Sequence, residues 1–228
     1  MFSKRLIYEL RVAFGLTSLL PLPALAGFAL LECLLWGSNY RETLQSVLTR
    51  DFTLLLPLIA GMAVAHLMSV EKDEGFDELR RSYPESLILQ ALRRTLIAFV
   101  LVGAALGAGW VSYSLALGQA VPLARILPCL PPTLYLLGLS LLINHLSGSY
   151  WVAVGSVMTY WFIEVQAQTR GQLTGDLFLF NAIWDQGANQ QLNTVLLCLV
   201  GCLFLIANLL LDWRGHLPLR FRSQPANE

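Results

Sequence analysis

Apolar residues along this chain stand in long blocks, and neither the alternation of a β-strand nor the stripe of an amphipathic helix describes them. A helix needs about 20 mostly apolar residues to cross a bilayer core of about 30 Å. Several blocks have this length, so the pattern predicts an all-α integral membrane protein with six transmembrane helices. The predicted spans are residues 15–36, 52–70, 95–118, 124–144, 149–166 and 193–212.

The composition agrees with this pattern. Hydrophobic residues make up 56% of the 228 and charged residues 13%, whereas an ordinary soluble domain carries roughly 25% charged residues. Charged side chains this scarce cannot cover a water-facing surface. The formal net charge is zero, so no bulk attraction to nucleic acid is expected. Without a clear internal repeat or low-complexity tail, residues 1–228 are predicted to form a single transmembrane domain.

The first residues predict a helix that lies along the membrane surface. Within residues 1–14, four apolar side chains share one helical face, and the charged residues lie largely on other faces. The four are Leu6, Ile7, Leu10 and Phe14. This distribution is typical of an amphipathic helix in the interface. The alternative is a polar lead-in to the first span.

The distribution of lysine and arginine predicts the orientation. With both termini placed in the cytoplasm, all but four of the 15 Lys and Arg residues fall in inner segments. The four outer ones are Arg41, Arg50, Arg125 and Arg170. Because positive charge accumulates on the cytoplasmic side, this bias predicts a multi-pass protein of the inner or plasma membrane with both termini inside.

The inner loop at residues 71–94 is dense in charge and carries three regularly spaced apolar residues. Phe76, Leu79 and Tyr83 stand at i, i+3 and i+7, the spacing with which an amphipathic helix seats in a groove. Pro84 ends this short helix, because the residue before proline is pushed out of the α region. The alternative is a solvated charged loop.

The same loop resembles the first cytoplasmic loop of type-2 ATP-binding-cassette (ABC) permeases, the membrane subunits of a large family of exporters. The pattern Glu-x-x-x-Gly-x-x-Glu-Leu-x-x-x-x-Pro carries the resemblance, through Glu71, Gly75, Glu78, Leu79 and Pro84. The loop stands between spans 2 and 3, as in that family, and the layout is similar over essentially the whole chain. Phe76-Asp77 stands where a common family variant has Thr-Leu.

The resemblance implies that the loop is a coupling helix, which docks in a groove of a separate ATPase subunit. The residues expected at or beside this contact are Glu71, Gly75, Phe76, Glu78, Leu79, Tyr83 and Pro84. The chain has no G-x-x-x-x-G-K-[ST] sequence, so ATP and magnesium are expected in the partner and no cofactor in this chain. The implied exporter contains two ATPase subunits and two permeases, either two copies of this chain or this chain and a paralogue.

Two acidic residues are candidates for a role in the pathway or in gating. Glu32 lies near the outer end of span 1, and Glu164 lies near the outer end of span 5. Ionisable residues inside spans are costly and often functional. Both glutamates also stand close enough to a boundary to reach water, so an interfacial position is the alternative.

The outer loop at residues 167–192 is too long for a simple connector. Phe178, Phe180 and Trp184 favour one or two short helices in the outer interface, where aromatic residues concentrate. The resemblance implies re-entrant helices that close the outer end of the pathway. An ordinary interfacial loop is the alternative.

Other residues have simpler expected roles. Gly103 and Gly107 let two helices approach closely, within one chain or between chains. Asn144 and His145 begin the turn between spans 4 and 5 and are expected to cap it. His66 is interpreted as a packing residue of span 2, with a proton relay as the alternative.

A membrane enzyme and a scaffold subunit are the alternatives to a transporter. An enzyme would need acids or histidines clustered within the spans, and the three histidines, at 66, 145 and 216, are scattered. The four cysteines lie in apolar blocks without metal-ligand spacing. We therefore expect no metal site and no catalytic site in this chain, and a transporter is favoured. The charged loop is the only feature that favours a transporter over a scaffold subunit.

Overall fold

The computed structural model describes residues 52–65, 87–167, 177–181 and 190–213, with single positions at 23, 24, 27, 31 and 50. The predicted interfacial helix at residues 1–14 lies outside the described residues. The coupling-loop residues that are predicted to contact the ATPase also lie outside the described residues. Glu32, His66 and Trp184 lie outside them as well.

Five α-helices form the described part of the chain. They are α1 (Phe52–Ala65), α2 (Leu87–Leu117), α3 (Leu130–Ser147), α4 (Tyr150–Ala167) and α5 (Gln190–Trp213). Two short 3-10 helices, Leu123–Arg125 and Leu127–Cys129, lead into α3. Prolines occupy the first turn of α3, where a missing N–H leaves no intrahelical hydrogen bond unmade.

Three helices in the described residues are long and apolar enough to cross a membrane. They cover Leu92–Leu115, Leu123–Ser147 and Gln190–Leu211. These stretches have 24, 25 and 22 residues, and about 20 suffice for a bilayer core. They correspond to the predicted spans 3, 4 and 6. The all-α fold is confirmed in the described residues, and by length and composition these three helices are suited to cross a membrane.

The count of six spans stays a prediction. The helix α1 lies within the predicted span at 52–70, but its described part is shorter than a span. The helix α4 lies over the predicted span at 149–166, yet it does not belong to the three helices that meet both conditions of length and apolarity.

Large apolar side chains are exposed along the outer faces of α2 and α5. They include Leu96, Val100, Leu115, Leu199, Leu203 and Ile206. A monomeric soluble protein rarely exposes such extended apolar patches. These faces are suited to contact lipid.

The helix α3 lies in the centre of the bundle and is tied to α1 by two hydrogen bonds. Ser140 Oγ donates to the carbonyl oxygen of Gly61 at 2.7 Å, and Asn144 Nδ2 donates to that of Ala65 at 2.6 Å. The two bonds are one helical turn apart on both helices, so α1 and α3 run in parallel. Asn144 takes part in closing the turn through its backbone carbonyl, as predicted, whereas its side chain is buried against α1.

The turn between α3 and α4 is closed by a glycine. The N–H of Gly148 donates to the carbonyl of Asn144 at 2.8 Å, and Gly148 has a φ of 69°. Residues with a side chain rarely adopt this left-handed backbone conformation, so glycine is the usual residue at such a helix end.

The closest helix approach in the described residues is between α3 and α5. A Cβ placed on Gly138 would lie 2.7 Å from the carbonyl oxygen of Gly201, and a Cβ placed on Gly201 would lie 3.0 Å from that of Leu134. By contrast, nothing in the described part of this chain lies within 4 Å of a Cβ placed on Gly103 or Gly107. The predicted contact at these two glycines is therefore absent from the described packing, and Gly138 and Gly201 make the close approach instead.

The five helices run alternately in direction. α1, α3 and α5 begin at one end of the bundle, which we call the Phe52 end, and finish at the opposite Ala65 end. α2 and α4 run the other way, so that Trp161 near the end of α4 donates its Nε1 proton to the carbonyl of Leu54 near the start of α1, at 2.8 Å. Residues 66–86 connect the end of α1 to the start of α2, both at the Ala65 end.

Candidate functional site

A short turn of the chain, residues 177–181, is buried in the Phe52 end of the bundle. We call it the buried turn. Phe178 and Phe180 are fully buried, and Leu179 and Asn181 are almost completely so. The turn belongs to an apolar cluster that also contains Tyr135, Leu136, Val157 and Leu197. Four of the five residues are thus buried inside the bundle, and Leu177 is half-buried against the same cluster.

Glu164 of α4 holds the buried turn from one side. Its Oε2 accepts the N–H of Leu179 at 3.0 Å, and the whole side chain is 0% exposed. The interpretation that Glu164 reaches water at the membrane boundary is wrong. The turn explains this position, because a backbone N–H buried away from water needs an acceptor within the protein.

Two tyrosines extend the polar group around Glu164. Tyr160 lies one helical turn before Glu164 on α4, and its ring packs against that of Tyr135 on α3. The two tyrosine rings are 5.3 Å apart between centroids. Tyr135, Tyr160 and Glu164 thus place three polar groups in an otherwise apolar part of the bundle.

Asn193 of α5 holds the buried turn from the other side. Its Nδ2 donates to the carbonyl oxygen of Phe178 at 2.8 Å, and Asn193 is buried. Glu164 stands three residues before the end of α4, and Asn193 stands three residues after the start of α5. Two helix termini therefore contribute one polar side chain each to the single peptide group that joins Phe178 and Leu179.

The buried turn bridges two helices that scarcely contact each other. α4 and α5 both pack on α3, but their direct mutual contact is marginal in the described residues. Aromatic rings complete the bridge: the centroids of Trp161 and Phe180 are 6.3 Å apart, and those of Phe178 and Phe180 are 6.1 Å apart. Both pairs have the edge-to-face geometry that aromatic rings favour.

Another buried polar side chain lies in α5, near the Ala65 end. Asn208 is 0% exposed, and neither its Oδ1 nor its Nδ2 has a hydrogen-bond partner in the described part of the structure. It stands one turn after Leu205, which belongs to an apolar cluster with Ala98, Leu101 and Leu141. Asn208 is thus an unsatisfied amide in an apolar environment.

The chemistry that these residues offer is polar anchoring. No group of three or more His, Cys, Asp or Glu side chains in the described ranges could hold a metal ion. The Glu164 carboxylate with Asn193 can bind backbone groups of a segment, and the tyrosines can relay hydrogen bonds. This is chemistry suited to holding or releasing the buried turn.

Sequence reasoning found some members of this site and missed others. Glu164, Phe178 and Phe180 were candidates, and the structure brings all three together. Asn193, Tyr135 and Tyr160 were missed. The spacing of Tyr160 and Glu164 at i, i+4 was an available signal, since such a pair shares one helix face. Asn193 at the start of an apolar span gave no comparable signal.

Comparison with known proteins found no matching family model, no similar curated protein and no similar solved structure.

Proposed function

We propose that this chain is the membrane-embedded permease subunit of an ATP-driven exporter of the ABC class. The observation that carries the proposal is the Glu71 to Pro84 pattern, which falls in the connection between α1 and α2 and resembles the coupling loop of type-2 ABC permeases. The pathway is formed by a dimer, with a second copy of this chain or a paralogue. ATP and magnesium are bound by two separate ATPase subunits.

The positions of the loop and of the buried turn support this proposal. Residues 66–86 connect helix ends at the Ala65 end, whereas the buried turn lies at the opposite Phe52 end. In a transporter, the end that receives force and the end that closes the pathway lie on opposite sides of the membrane. The excess of Lys and Arg in the inner segments supports a cytoplasmic Ala65 end, and therefore an outer position for the buried turn.

The hydrogen bonds of α1 offer a mechanical route between the two ends. At the Ala65 end, α1 is bonded to α3 through Ser140 and Asn144. At the Phe52 end, α1 accepts a hydrogen bond from Trp161 of α4. A displacement of the α1–α2 connection by closing ATPase subunits would therefore shift α1, and with it α3 and α4. Such a change requires different contacts in the two states, which the docked loop supplies.

Glu78→Arg is expected to abolish docking of the ATPase and most of the ATP turnover that depends on the permease. A charge reversal inside a docked helix removes a central contact, which costs about 2 kcal/mol or more and weakens binding by more than about tenfold. The measurement is co-purification of an ATPase with the chain from the source membrane, followed by ATP turnover of the complex in lipid.

Glu85→Arg is the matched control, because it makes the same charge reversal one residue beyond Pro84, outside the pattern. It is expected to leave co-purification and turnover close to those of the unmodified chain. Absence of any co-purified ATPase, or equal turnover in the Glu78→Arg complex, would contradict the permease function and favour a scaffold subunit or a membrane enzyme.

A further inference from the structure

The buried turn is held by one polar side chain from each of two helices. Glu164 on α4 accepts from the Leu179 N–H, and Asn193 on α5 donates to the Phe178 carbonyl, at 3.0 and 2.8 Å. Because α4 and α5 each pack on α3 and scarcely on each other, the buried turn is a direct link between them at this end.

We propose that Glu164 and Asn193 form a two-point latch, which keeps the buried turn inside the bundle and opens when α4 and α5 move apart. The Phe178 carbonyl and the Leu179 N–H belong to the same planar peptide group, so this one group cannot follow both helices. Separation at this end therefore breaks at least one of the two bonds. The role of the latch as the outer gate rests on the proposed transport function, whereas the latch itself does not.

The latch depends on Glu164 as a hydrogen-bond acceptor. Glutamine keeps an acceptor oxygen at the same distance along the side chain, whereas leucine keeps similar bulk and removes it. Glu164→Leu leaves the Leu179 N–H buried without an acceptor, a state that favours release of the turn to water. Glu164→Gln retains an acceptor oxygen for the Leu179 N–H, so its effect should be smaller than that of Glu164→Leu.

Release of the turn can be measured through a cysteine at position 179. Leu179→Cys is made in a chain whose four native cysteines are replaced by alanine, and it keeps the backbone N–H that Glu164 binds. The protein is placed in lipid nanodiscs, where both membrane faces are open to reagent, and the rate of maleimide labelling is recorded. Leu141→Cys, also at a fully buried position but near the Ala65 end, is the matched control.

The expected result is slow labelling at position 179 in the parent, and labelling about tenfold faster with Glu164→Leu, since a buried N–H loses its acceptor. Asn193→Leu should give a smaller increase of about threefold, because a carbonyl without a donor is tolerated better than an N–H without an acceptor. Labelling at position 141 should not change in either variant.

Three outcomes would overturn the latch. Unchanged labelling at position 179 in both leucine variants would show that apolar packing alone retains the turn. A parallel increase at positions 179 and 141 would show general loosening of the bundle. Glu164→Gln as fast as Glu164→Leu would reject the role of the acceptor. The assay needs no ATPase, so its failure is separate from failure of the proposed transport function.

Discussion

Gly138→Ala is expected to destabilise the bundle by roughly 1–3 kcal/mol, the usual cost of extra volume in a packed core. The added methyl group would lie 2.7 Å from the carbonyl oxygen of Gly201 and 3.0 Å from the Cβ of Phe204. Both are backbone or backbone-proximal atoms that no side-chain rotation can move, so α3 and α5 must separate. The measurement is the thermal unfolding midpoint of the purified chain in lipid nanodiscs.

Replacement of glycine by alanine at an open position should stabilise the bundle instead of destabilising it. Gly103→Ala on α2 adds a methyl group that meets nothing within 4 Å in the described residues. Alanine in a helix interior is more favourable than glycine by roughly 0.5–1 kcal/mol, so this variant should unfold at a slightly higher temperature. Gly155→Ala on α4, which is also open, repeats the control on another helix. A loss of stability at Gly103 and Gly155 equal to that at Gly138 would contradict the assigned close approach.

The long helices could be predicted from the sequence because their signal is local. A block of about 20 apolar residues needs no knowledge of its neighbours to form a membrane-spanning helix, and Leu92–Leu115, Leu123–Ser147 and Gln190–Leu211 follow from this rule. The packing of these helices is not local. Gly103 and Gly107 form the familiar i, i+4 pair, yet the close approach uses Gly138 and Gly201, one glycine on each of two helices.

The candidate site was only half predictable for the same reason. Glu164 could be predicted as a candidate because it is an ionisable residue within a span, but its burial depends on a turn 15 residues further along the chain. Nothing in the sequence around Leu179 indicates that its N–H needs an acceptor from α4. Asn193 shows the same dependence, since its partner is the backbone carbonyl of Phe178, and backbone groups carry no residue-specific signal.

Asn208→Leu is expected to stabilise the bundle by about 1–3 kcal/mol, the range for a buried polar group that lacks a partner. Neither polar atom of the Asn208 amide is hydrogen-bonded in the described part of the structure, and the side chain is 0% exposed. Leucine has the same branching at Cγ and replaces the unsatisfied amide with two methyl groups.

Asn144→Leu is the matched control, and its expected effect is a loss of about 1 kcal/mol. The same amide is removed from the same bundle at another 0% exposed position. At residue 144, however, Nδ2 donates to the Ala65 carbonyl at 2.6 Å, so leucine breaks a bond between α3 and α1. Chemical unfolding of both variants in the same lipid environment measures the two changes. The test is whether the two changes in unfolding free energy have opposite signs. If Asn208→Leu destabilised the bundle as much as Asn144→Leu, the Asn208 amide would have to make a favourable interaction, and this would contradict the prediction.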